Sequence, residues 1–123
     1  MEIKELTKAE EQIMHVLWEL GHAFVKDVVD QMPDPKPAYN TVSTIIRILE
    51  TKGFVDHEAF GKSHRYYPLI SIEKYRSFAT EKLLSGYFDN SVENIFSFFV
   101  KEKKLDLREV DEILKLIEKL KQK

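Results

Sequence analysis

Residues 38–55 read AYNTVSTIIRILETKGFV, and the spacing within them decides the fold. Val42, Ile45, Ile46 and Leu49 recur at i, i+3, i+4 and i+7, the apolar stripe of a helix seated on a core. Asn40, Ser43, Thr44 and Arg47 repeat at the same spacing on the opposite side. Lys52-Gly53 then stops the helix, and strand-like residues follow. A solvent-facing helix side normally fills with Glu, Lys, Gln and Ala, which favour the helix most. Short hydrogen-bonding side chains instead keep it slim enough for a DNA major groove about 12 Å wide. They also suit base edges: Asn pairs with adenine, Arg with guanine, and a Thr methyl meets the thymine methyl.

Upstream, Thr7 followed by Glu10 is a capping box, so a first helix is predicted from Lys8 to about Leu20. Ile13, Met14, Leu17 and Trp18 fall on its one apolar face, and Gly21 is placed to end it. Phe24, Val25, Val28, Val29 and Met32 mark a shorter amphipathic helix that cannot continue into the proline-studded PDPKP. Downstream, FVDHE and SHRYYPL read as two strands around AFGK, where Gly61 supplies the freedom a hairpin needs. Helix, helix, helix, hairpin is the order of a winged helix-turn-helix. On this reading Lys62, Ser63, His64 and Arg65 sit on the wing, where backbone phosphates would be met. Tyr66 and Tyr67 read as strand packing residues rather than platforms for bases.

Beyond Pro68 the chain turns helical again. Ser71 is placed as a cap, and Ile72, Tyr75, Phe78, Ala79 and Leu83 are predicted to form a buried face before Gly86. The next segment carries Ile95, Phe96, Phe98, Phe99 and Val100, more apolar surface than a small helix needs for its own neighbours. Asp106 and Glu109 open a last helix whose seam is Val110, Ile113, Leu114, Ile117 and Leu120. Such a tail asks for a partner, and a second copy of the chain is the simplest one. The predicted fold is mainly α with a small β-hairpin wing: a winged helix-turn-helix over residues 1–70, then a helical dimerisation region over 71–123.

At 123 residues, 43% hydrophobic and 33% charged, the chain is one small domain or two small lobes. The absence of cysteine removes disulfides, thiolate metal sites and Cys nucleophiles together. No apolar run approaches the roughly 20 residues of a membrane span, and the start MEIKELTKAEEQ lacks a signal-peptide pattern, so a cytoplasmic location without membrane insertion is expected. The net charge of -2 argues weakly against a role built on basicity, although the acid is concentrated before residue 38. His15, His22, His57 and His64 show no HExxH or paired metal spacing. His57 and His64 facing each other across the hairpin would make at most a weak metal site, and hydrogen bonding to phosphate or simple exposure is favoured. No GxSxG, Walker A or GxGxxG pattern occurs. Neither an enzyme, nor a cofactor, nor a metal is expected.

Taken together, LTKAEEQIMHVLW, NTVSTIIRILETKGFV and FGKSHRYYPL resemble the BlaI/MecI/CopY group of bacterial winged-helix transcriptional repressors, the penicillinase repressor family. The resemblance spans nearly the whole chain. Its most specific parts are Thr41, Val42 and Thr44, the Lys52-Gly53 stop, the Gly61-Lys62 turn, and Tyr66 with Pro68. It implies a homodimer on a palindromic double-stranded operator, with the winged helix on DNA and the C-terminal helices joining the copies. It also implies that Thr41, Ser43 and Thr44 face the groove and that Lys62 lies on the wing.

Three departures from the family pattern qualify what it implies. Family members commonly place Arg just before the last Leu of the third helix, where this chain has Ile48, with Arg47 one step earlier. One step is about 100° of helix rotation, so the bases read would differ. The Cys-x-Cys pair of copper-responsive members is absent. In antibiotic-responsive members, a membrane sensor's signal leads to cleavage at an Asn-Phe bond; the matching place here is Ser97-Phe98, with Ser in place of Asn. Beside the repressor reading stands a winged helix that docks another protein through its apolar tail and binds no DNA.

Overall fold

The computed structural model describes residues 3–102 and 104–121. It divides into two compact units, Met1–Phe78 and Ala79–Lys123.

In the first unit the helices are α1 (Lys8–Leu20), α2 (Val25–Gln31) and α3 (Tyr39–Thr51). The capping box forms as expected: Thr7 N–H donates to Glu10 Oε1 (2.8 Å) and Glu10 N–H donates to Thr7 Oγ1 (3.2 Å). Gly21, at φ 80°, ends α1 in a conformation that other L residues avoid. Ile13, Met14 and Leu17 of α1, Val28 of α2, Val42, Ile46 and Leu49 of α3, and Phe54 and Val55 beyond it make a fully enclosed core. Ile45 is only half-buried and Ile48 is exposed, which narrows the apolar stripe of α3 to one row.

Three strands form an antiparallel sheet in the order β1-β3-β2, with β1 (Ala23–Phe24), β2 (Val55–Phe60) and β3 (Ser63–Pro68). The hairpin is tighter than its sequence suggests. Phe60 pairs with Ser63, which leaves only Gly61 and Lys62 in the turn, and Gly61 takes φ 61°. That is where a two-residue II′ loop calls for glycine. Strand β1 had no signal in the sequence, because two residues display no periodicity.

Helix α4 (Ile72–Tyr87) begins against the winged helix. Ser71 Oγ accepts from Lys74 N–H (3.1 Å), as a cap should. The Trp18 indole donates to Ile70 O (2.8 Å), and the Tyr75 hydroxyl donates to Glu11 Oε2 (2.8 Å). Tyr75 also packs on Trp18, Phe54 and Phe78, and burial followed by the Glu11 bond raises its phenol pKa above the ordinary range. The predicted buried face of α4 shrinks accordingly: Tyr75 is buried, Ile72 and Phe78 are half-buried, while Ala79 and Leu83 lie open to solvent. Gly86 does not stop the helix either. Glycine costs a helix only about 1 kcal/mol, whereas Asp89 and Asn90 adopt left-handed φ of 51° and 60° that no helix can continue.

The second unit holds α5 (Val92–Lys101) and α6 (Leu107–Lys121). Ser91 caps α5 through Asn94 N–H (3.0 Å), and the Asp106/Glu109 capping box opens α6 at 2.9 and 3.3 Å. Neither helix has a fully buried residue. Ile95, Phe99, Val110 and Ile113 are half-buried; Phe96, Phe98, Val100, Leu114, Ile117 and Leu120 are exposed.

Candidate nucleic-acid interface

Burial of Val42, Ile46 and Leu49 fixes the roll of α3, and the helical repeat then turns the polar stripe outward. Asn40, Thr41, Thr44 and Arg47 are exposed, and Ser43 is half-buried. The Arg47 guanidinium donates from Nη2 to Ser43 Oγ at 3.4 Å, a long bond that leaves most of its donors open. At the far end of α3, Lys52 Nζ donates to Glu10 Oε1 (2.8 Å) and to Glu5 O (3.3 Å), which ties that end to α1. Burial raises the Glu10 carboxyl, but the bond from Lys52 and those with Thr7 outweigh it, and the group rests below its ordinary value of 4.5.

The wing brings Lys62, Ser63 and His64 to its exposed tip. Between the wing and α3 lies a concave cleft of about 550 Å³, where Ser43 and Arg47 meet Lys62, Ser63 and His64. Lys26 of α2 and Tyr39 at the start of α3 also line it. Asp27 is there too, but its carboxylate accepts Phe24 N–H (3.0 Å). Three cations around one hollow suit a phosphate backbone passing between wing and helix.

Arg65 sits differently from its neighbours. In the sheet register Glu58 stands directly opposite it and Phe60 diagonally so. Its guanidinium accordingly lies 4.7 Å from the centre of the Phe60 ring and 3.8 Å from Glu58 Oε2, half-buried within the wing. His57 and His64 do meet across the hairpin, but face to face, with ring centres 4.1 Å apart and planes within 9°. His57 Nδ1 makes a short contact with Glu50 Oε2. Tyr66 is buried beside both rings, and that burial raises its phenol pKa.

Lys26, Tyr39 and Glu50 were not singled out from the sequence. Lys26 had no signal, since only the packing of α2 under the wing brings it near. Tyr39 and Glu50 did have one: both lie within a turn of the polar stripe, Glu50 three residues after Arg47.

In the second unit, a second cleft of about 470 Å³ runs between α5 and α6, lined by Phe96, Ser97, Val100, Val110, Ile113, Leu114 and Ile117 among others. Ser97 and Phe98 are consecutive exposed residues in the middle of α5, and Phe98 packs edge-on to Phe88 at 5.6 Å. Among the described residues, no helix is long and apolar enough to cross a membrane.

The profile of the penicillinase repressor family matches residues 6–119. Methicillin resistance regulatory protein MecI of Staphylococcus aureus (strain N315) is 22% identical over 116 residues, 94% of each chain. The penicillinase repressor of Bacillus licheniformis is 20% identical over 117 residues, 94% of this chain and 91% of its own. Among solved structures, the DNA-binding domain of the repressor BlaI superposes with a TM-score of 0.53 at 24% identity, covering 60% of this chain and 92% of that one. That likeness is one of fold, and it makes the N-terminal part a winged helix.

Proposed function

Since the chain belongs to the penicillinase repressor family, we propose that it is a transcriptional repressor that occupies a palindromic operator as a homodimer. The observation that carries this reading is the convergence of the α3 stripe and the wing tip on one cationic cleft. Asn40, Thr41, Thr44 and Arg47 would read base edges in the major groove. Lys62, Ser63 and His64, with Lys26, would hold phosphates. Two copies would place their α3 helices about 34–36 Å apart, or a multiple of that. The net charge of -2 is no obstacle, because counterion release depends on the contact face and not on the total.

The exposed apolar rows of α5 and α6 are the surface on which two copies would join. Release would follow from anything that breaks that seam. Cutting between Ser97 and Phe98, by a protease coupled to a membrane sensor, would sever α5 in its middle and leave each winged helix to bind half an operator alone. Linked half-sites gain roughly 10²–10⁴ over either half, so the loss would free the promoter. The protein would act on DNA in the cytoplasm.

The test is fluorescence anisotropy with the duplex upstream of the protein's own gene against a shuffled duplex, at two salt concentrations, beside light scattering for mass. Dimeric protein that prefers the native duplex and weakens steeply with salt is expected. A monomer that binds neither duplex at any salt would replace this reading with a protein-docking winged helix.

A further inference from the structure

We propose that Glu50, Asp56 and His57 form a site for a first-row divalent metal ion that clasps the end of the recognition helix to the first strand of the wing. One ligand atom from each of the three lies within 4.8 Å of the other two. Glu50 stands in the last turn of α3, and Asp56 and His57 open β2 just beyond the Lys52-Gly53 turn. Neighbours on a strand point to opposite faces, but the Asp56 carboxylate folds back to accept the His57 N–H (2.8 Å). This puts Oδ1 4.0 Å from His57 Nδ1. Ligands on one tetrahedral zinc, with bonds of about 2.0–2.2 Å, stand roughly 3.4 Å apart. Binding would draw Asp56 Oδ1 inward and move Glu50 Oε2 slightly away from the imidazole.

The imidazole is already aimed. Its Nδ1 faces both carboxylates, and the ring is held from behind by the His64 stack and the Tyr66 ring. One nitrogen and two carboxylate oxygens suit zinc, manganese or nickel, with water completing the shell. His64 is not a ligand in this arrangement. Ring lone pairs lie in the ring plane, and the plane of His64 runs parallel to that of His57, offset by the stacking distance.

A consequence for DNA binding follows, and it rests on the operator reading. Glu50 continues the stripe of Arg47, so two carboxylates lie at the end of a helix that would approach a polyanion. A divalent ion between them cancels that local charge and ties the helix to the wing. Metal-loaded protein should therefore hold duplex more tightly.

The experiment titrates zinc chloride into full-length, chelator-stripped protein by calorimetry, for the wild type, Glu50→Gln, His57→Ala and His64→Ala, each shown by circular dichroism to fold in chelator. One zinc per protomer is expected in the wild type and in H64A. In E50Q and H57A, affinity should fall by more than about tenfold, the least that even an outer-shell loss costs. No stoichiometric zinc, equal binding by all four proteins, or loss only in H64A would overturn the site. Anisotropy with zinc against chelator then tests the consequence: several-fold tighter duplex binding is expected in the wild type and no change in E50Q, and an unmoved wild type would refute it. Zinc binding with no duplex binding at all would keep the site and remove the repressor reading instead.

Discussion

The apolar rows Val42, Ile46, Leu49 of α3 and Val110, Ile113, Leu114, Ile117 of α6 share one helical spacing, yet they end in opposite surroundings. The first row is wholly enclosed, whereas the second is half open or open throughout. Periodicity reports that a face wants cover; it does not say whether the same chain provides it. In the first unit α1, α2 and the sheet supply the cover. In the second, two short helices share a cleft and still leave Phe96, Leu114, Ile117 and Leu120 in water.

The sharpest way to break this contrast is to empty one core position and charge one seam position. Phe54→Ala removes a fully buried ring and should cost about 3–5 kcal/mol of unfolding free energy, read from denaturant midpoints. Leu114→Asp, at an exposed seam residue, should leave the winged helix's unfolding transition in place. It should also turn a dimer into a monomer by light scattering, with operator affinity falling by roughly 10²-fold or more. If L114D unfolds the protein as F54A does, the two rows are not different in kind.

Smaller changes sharpen the division within α3 itself. Arg47→Ala should weaken operator binding by about 1–3 kcal/mol while the dimer and its stability stay unchanged. Lys52→Met should do the reverse, costing about 1 kcal/mol of stability by leaving buried Glu10 without its cation. Because the folded pKa of Glu10 lies below its ordinary 4.5, its contribution is complete above that pH and is lost as pH falls through the folded value. Glu10→Gln should flatten that part of the stability profile, and a profile that keeps its slope would exonerate Glu10.

Much of the fold was legible because its signals are local. Thr7 with Glu10, Ser71, and Asp106 with Glu109 name their own helix starts, and each forms the bond its spacing implies. The outward placement of the polar stripe of α3 was legible for the same reason. What escaped was set by register and tertiary approach. Arg65 reads as a phosphate-facing wing cation until the pairing places Phe60 and Glu58 beside it. The end of α4 is set by the left-handed Asp89 and Asn90, which no periodicity announces. The gathering of Glu50, Asp56 and His57 depends on where β2 leaves the Gly53 turn, and no spacing in the chain encodes that.

The anchoring of α3 has a practical meaning for engineering. Its seat is built from Val42, Ile46, Leu49 and the Lys52–Glu10 bridge, and none of these shares an atom with Asn40, Thr41, Thr44 or Arg47. The outward residues can be exchanged while the mounting stays untouched. On the operator reading proposed above, the chain would be a chassis on which operator preference is rewritten at four positions, each swap judged by selectivity.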